Sequence, residues 1–189
     1  LNSHDADLFR RRSVPTFQAD QVSRIVVEPG QPANQQILDR FGKTVLNQDR
    51  TVNRPALAQI NFADQRARLD LEAIVHPPVR QAIDLWFEEC ARTDTTLFAL
   101  AEIPLLFEAG RSHLFDKILV VSCQPETQLA RVMQRDRLTQ RDAQQRIDAQ
   151  LPLDDKMARS DWIIYTDGSH QNTSVQVDSA LNKINVAAR

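Results

Sequence analysis

Apolar residues along this chain fall into two kinds of segment. Short runs rich in β-branched and aromatic residues occur at VPTFQ (14–18), LFALAEI (97–103), KILVVS (117–122) and WIIYT (162–166), mostly without apolar–polar alternation. Runs of this kind predict parallel strands buried on both faces. Longer stretches between them repeat apolar positions at three and four residues, which predicts amphipathic helices. QQILDRFGKTVL carries Ile37, Leu38 and Phe41 on one face, and LDLEAIV continues the same spacing. PVRQAIDLWFEECAR offers a broad side of Val79, Ile83, Leu85, Trp86 and Phe87, and ETQLARVMQRD groups Leu129, Val132 and Met133. Strand, helix, strand in this order predicts an α/β fold, a parallel sheet with flanking crossover helices.

Two stretches stand apart from that alternation. Residues 31–92 hold helices and hardly any strand, and read as a helical insertion beside the sheet. Residues 136–158 are polar, rich in Arg and Gln, and interrupted by Pro152; lying between two strands, they fit a mobile lid or an exposed crossover helix. The opening LNSHDADLFRRRSVPTFQAD reads as a helix, a turn and a strand, with Asn2 or Ser3 as the helix cap and Asp5 and Asp7 in the first turns.

Composition narrows the function classes. A length of 189 residues suits one domain, and 23 Lys+Arg against 25 Asp+Glu, net charge −2, argue against a nucleic-acid field. No long apolar run or basic leader occurs, so a cytosolic protein without a membrane span or signal peptide is expected. Cys90 and Cys123, far apart and outside a CxxC pattern, are expected to be packed thiols rather than a disulfide or zinc site.

Candidate chemistry follows from the rule that open α/β sheets bind ligands at the carboxyl ends of their strands. Asp20 follows the first strand and Glu108 follows the run 97–103. Either carboxylate could accept a hydroxyl proton or hold magnesium through water, and either could be a helix cap or surface charge. His76 lacks His or Cys neighbours in metal spacing, and the two prolines after it are expected to prevent a regular helix from running through. Arg131, Arg135, Arg141 and Arg146 could converge on a polyphosphate, or form a solvated face with Asp136 and Asp142.

Taken together, several strings resemble the dephospho-coenzyme A kinase family of P-loop kinases. They are QADQVSRIVVEPGQP, FGKTVLNQDRTVNRPALAQINFAD, AIVHPPVRQAI, EIPLLFEAG, KILVVSCQPETQLARVMQRD, RIDAQLPLDDK and ARSDWIIYTDGS, in the family's order over about residues 8–180. The resemblance implies a P-loop kinase-like parallel sheet, a helical substrate region (about 31–92) and a lid (about 136–158) within a single domain of residues 1–189. It implies a cytoplasmic enzyme that moves the γ-phosphoryl group of ATP, with Mg2+, to the ribose 3′-hydroxyl of dephospho-CoA, the last step of coenzyme A biosynthesis. Asp20 then matches the general base, and Arg135 a catalytic lid-side arginine. His76, Pro77 and Glu108 fall on the substrate side, and Arg141, Gln150 and Lys156 on the ATP side. No residue of this chain is assigned as a metal ligand, and dephospho-CoA and ATP are the expected partners, without nucleic acid or membrane.

The sequence departs from the family in four places. No GxxxxGK[ST] string occurs among the 189 residues, and the four glycines, Gly30, Gly42, Gly110 and Gly168, do not form one. Gln18 replaces the first acid of an Asp-Ala-Asp motif, and Thr166 stands where an Asn near the adenine pocket is common. The first central strand, expected between 97–103 and 117–122, is also absent, so the chain reads as N-terminally incomplete, beginning as it does with Leu. Unpaired groups along the two inner edges would cost about 1–3 kcal/mol each, so the chain is expected to fold poorly or to pair those strands directly. Without the phosphate loop it is expected to be inactive or nearly so. The alternative is a non-catalytic paralogue binding a coenzyme A precursor or a partner protein; a different nucleoside or nucleotide kinase is a third reading.

Overall fold

The structure, a computed structural model, describes residues 3–93 and 97–187. Its elements in chain order are α1 (Ser3–Arg10), β1 (Thr16–Gln18), α2 (Ala19–Ile25), α3 (Pro32–Phe41), α4 (Arg54–Ala63), α5 (Gln65–Arg92) and β2 (Leu100–Glu102). They continue with β3 (Leu119–Ser122), α6 (Pro125–Asp136), α7 (Gln140–Asp148), α8 (Leu153–Ala158), β4 (Trp162–Tyr165) and α9 (His170–Ala187). The chain divides into two compact units, Val14–Ile103 and the remainder, Leu1–Ser13 with Pro104–Arg189.

In the unit Val14–Ile103, β1 and β2 pair in parallel, with Thr16 opposite Leu100 and Gln18 opposite Glu102. The excursion between them is helical, as its spacing predicts. Pro32 opens α3, where a missing N–H costs nothing. Gly42 closes it at φ +79°, a conformation that glycine reaches without steric penalty. Val27, Ala33, Ile37, Val45 and Leu57 form one buried cluster, and Asn34 ties the adjoining loops by donating to the carbonyls of Val27 (2.9 Å) and Arg50 (3.1 Å). Phe17, Ala19 and Ile83 form a second cluster, joined by Val79, Trp86 and Phe87.

Helix α5 corrects the reading that Pro77 would stop a helix: it runs through both Pro77 and Pro78. Each proline removes an N–H and crowds the preceding turn, a penalty of about 3 kcal/mol in a helix interior. Burial on both sides outweighs it, because Leu71, Ile74 and Val75 pack on the first cluster and Val79, Ile83, Trp86 and Phe87 on the second. Leu85, read from its spacing as part of the apolar face, is 55% exposed.

In the other unit, β3 and β4 pair in parallel from Leu119 opposite Trp162 to Ser122 opposite Tyr165. Helices α6, α7 and α8 make the crossover. Helix α9, which the sequence reading did not assign, packs on β4 and α1. Its signal was present in the spacing of Thr173, Val177, Ala180 and Leu181, all of them buried. Arg12 fastens the end of α1 to α9, donating to Asp178 (2.8 Å) and to the Ser174 hydroxyl (2.6 Å). Helix α1 occupies the span expected of it; Asn2 as a cap lies outside the described residues.

The four strands are shorter than the apolar runs that announce them, and they form two sheets, β1–β2 and β3–β4. Within each unit, each strand has the parallel partner supplied by its own crossover.

Burial makes one comparison decisive. Ile37 is 0% exposed, so Ile37→Ala should lower the unfolding free energy by about 2–5 kcal/mol in urea titrations followed by circular dichroism. Leu85→Ala should change it by less than about 1 kcal/mol.

Candidate active site

The carboxyl ends of β1 and β2 bring Gln18 and Glu102 side by side, with Asp20 two residues beyond Gln18 in the first turn of α2. Asp20 is 64% exposed and accepts from Arg24 one turn later (3.0 Å), so its carboxylate stands at a strand end and faces water. Glu102, only 8% exposed, accepts from the Gln18 amide nitrogen at 2.9 Å. A carboxylate buried at a strand end is a functional candidate that the sequence reading passed over; its signal was its place as the last polar residue of an otherwise apolar run. The replacement of an acid by Gln18 has a physical consequence here. An acid at 18 would set two carboxylates against each other, whereas the amide donates to Glu102.

His76 and Pro77 lie midway along α5 and are exposed. The His76 carbonyl accepts from Arg80 Nε at 3.4 Å.

The remaining predicted residues belong to the other unit, where they gather at the two roots of the 136–158 segment. Helix α6 ends at Asp136, and Arg137 turns the chain sharply in the left-handed conformation (φ 53°). Thr139 then caps α7, accepting from the Asp142 N–H. This tight turn lets Asp136 accept from both Arg135 (2.8 Å) and Arg146, which approaches from α7. The bonds from Arg135 pull the Asp136 carboxyl down to about 2, Arg146 adds to that pull, and burial opposes it. Two guanidiniums on one carboxylate leave a net positive charge at the turn. Arg141, on the same helix as Arg146, is exposed in an open hollow with Gln140, Gln144, Gln145 and Asp148.

At the other root, Glu108, Gln150 and Lys156 meet. Lys156 Nζ lies 2.6 Å from Glu108 Oε1 and 3.3 Å from Gln150 Oε1, and the Leu151 N–H donates to the same Glu108 oxygen at 3.1 Å. Burial alone would push the Glu108 carboxyl up; the bonds from Lys156, from its own backbone N–H and from Leu151 hold it below its usual range.

Arg131, read as one of four possible phosphate ligands, instead turns to the end of β4. It donates to the Thr166 hydroxyl (2.7 Å) and carbonyl (2.6 Å), while the Thr166 hydroxyl donates to the Ser122 carbonyl (3.1 Å). Thr166 thereby joins the carboxyl ends of β3 and β4, a role that accounts for a hydroxyl at this position. Cys90 and Cys123 are free thiols, partly buried, and burial raises both.

An α/β architecture with functional groups at strand ends and arginines on a helical crossover has close counterparts among solved structures. A crystal structure from Thermus thermophilus superposes with a TM-score of 0.79 at 29% identity, covering 96% of this chain and 90% of that one. A dephospho-CoA kinase from Campylobacter jejuni superposes with a TM-score of 0.72 at 24% identity, covering 99% and 92%. The fold is that of the P-loop kinases. A family description, dephospho-CoA kinase, matches residues 2–172. The dephospho-CoA kinase of Bacillus anthracis is 38% identical over 181 residues (96% of this chain, 90% of that protein), and that of Syntrophotalea carbinolica 39% identical over 179 (95% and 84%). This chain belongs to the dephospho-CoA kinase family.

The Asp136 pair yields a pH test. Its folded pKa lies below the unfolded value, so its stabilisation is present above the ordinary carboxylate range and is lost as pH falls through about 2. Asp136→Asn should lower Tm by about 2–4 °C near neutrality, and the difference from the parent should close as pH approaches 2 in calorimetry.

Proposed function

We propose that these residues carry the transfer of the ATP γ-phosphoryl group to the ribose 3′-hydroxyl of dephospho-CoA. The observation that supports this reading best is Asp20, a water-facing carboxylate at the carboxyl end of β1. In this reading Asp20 orients the attacking hydroxyl and takes its proton. Arg135, with Arg146 and Arg141 on α7, meets the negative charge of the transferring group, which such reactions need more than covalent assistance. His76 and Pro77 on α5 bind the substrate, and Glu108 is assigned to the substrate side as well. Gln150 and Lys156 shape the nucleotide side.

Magnesium belongs to the same proposal. It takes few protein ligands, most of its octahedron being water and phosphate oxygen, and an exposed carboxylate such as Asp20 fits that demand. When bound, the ion neutralises charge on the phosphate oxygens. Among the described residues no helix is long and apolar enough to cross a membrane, and a cytoplasmic setting is part of the proposal.

Phosphoryl transfer also needs donors around the β and γ phosphates, and no GxxxxGK[ST] string occurs in these 189 residues. The 189-residue chain is therefore expected to bind dephospho-CoA in calorimetric titration and to show no detectable turnover in an ADP-release assay. Joined in frame to a strand and glycine loop of that pattern, it should become active. In that extended protein Asp20→Asn should lower kcat by about 10²–10⁴-fold with little change in KM. Binding without turnover in the extended protein would favour the non-catalytic reading, and an unchanged kcat in the Asp20 variant would remove Asp20 from the mechanism.

A further inference from the structure

The lid segment is tied at both ends by carboxylates, and the two ties differ in kind. At its entrance, Asp136 holds Arg135 and Arg146, whose side chains are 59% and 43% exposed. At its exit, Glu108 and Lys156 are 19% and 13% exposed, and the carboxylate comes from the loop after β2, outside the segment it grips. One Glu108 oxygen receives both the ammonium of Lys156 and the N–H of Leu151. Gln150 supplies a second acceptor to the same ammonium. A side-chain ion pair and a backbone bond thus converge on the turn between α7 and α8.

Such a pair is hard to open. Removing either partner of a sequestered ion pair strands the other charge away from water, so the intact pair resists separation more than an exposed one does. Lys156 is also an unpromising direct phosphate ligand here, because its ammonium already has two oxygen partners and little exposure.

We propose that Glu108 and Lys156 are positioning residues that form a latch at the exit of the lid. The latch keeps the 150–152 turn and the start of α8 in place, and so anchors the chain just beyond α7, the helix that carries Arg141 and Arg146. The latch rests on contacts within one unit; its role in the reaction rests on the kinase reading above.

Amide hydrogen exchange of the 189-residue chain, resolved by residue in NMR spectra, tests it without any substrate, so its failure is separable from failure of the kinase reading. Glu108→Ala should lower the protection factor of the Leu151 amide by at least about tenfold, since it removes the acceptor, while Ile163 in β4 should stay within about threefold and so report an intact fold. Lys156→Met should also lower Leu151 protection, and Lys156→Arg should restore most of it. In the parent, Leu151 protection should fall as pH drops through the lowered Glu108 pKa. In Glu108→Gln, which keeps an acceptor oxygen and the volume, protection should be reduced and independent of pH over that range. Unchanged Leu151 protection in Glu108→Ala, or failure of Lys156→Arg to outperform Lys156→Met, would overturn the latch. So would a pH response that persists in Glu108→Gln.

Discussion

Parallel strand pairing is the constraint on which the rest of this structure depends. Two parallel neighbours cannot be joined by a tight turn; the chain must leave one end of the pair and return to the other. Here it does so twice. The crossover from β1 to β2 carries α2 to α5, and the crossover from β3 to β4 carries α6 to α8. The first is the region proposed to hold the substrate, and the second is the segment proposed as the lid. Both excursions are thus the obligatory return paths of parallel pairs; Asp20 stands where the first leaves β1, and Glu102 and Thr166 stand at the carboxyl ends of β2 and β4, the strands to which the chain returns.

Within each crossover, polar groups are held by local partners. Gln18 donates to Glu102 at one pair of strand ends, and Arg131 with Thr166 joins the other pair. Asp136 and Glu108 tie the two ends of the 136–158 segment. These arrangements follow a common rule: a carboxylate or hydroxyl withdrawn from water keeps a donor or a countercharge within hydrogen-bond reach. Asp20 is the contrast: among the described residues its carboxylate is engaged by Arg24, one turn along its own helix, and it stays open to solvent, as the proposed role of meeting a substrate hydroxyl requires.

The layout of strands and helices was legible because periodicity is a local property. Four apolar runs became four strands, and the three- and four-residue spacing became helices. What misled was also local. Two adjacent prolines argued for a break, yet α5 crosses them because residues on both flanks are buried in separate clusters, which no window around Pro77 could register. Leu85 has helical spacing but faces water, and α9 was passed over although its buried positions repeat at three and four.

For the site, the sequence by itself determined the family, through strings such as PLLFE and AQLPLDDK, and with it which residue types were candidates. It also determined that Asp20 would follow a strand, because strand and carboxylate are neighbours in the chain. Only the tertiary structure decided the partners. Leu151 and Lys156, 43 and 48 residues beyond Glu108, fall on one of its oxygens. Arg131 selects Thr166 over solvent, and Arg146 reaches back to Asp136. The physical reason is that charge pairing depends on distance in space, and that distance is set by two crossovers and one left-handed turn rather than by spacing along the chain.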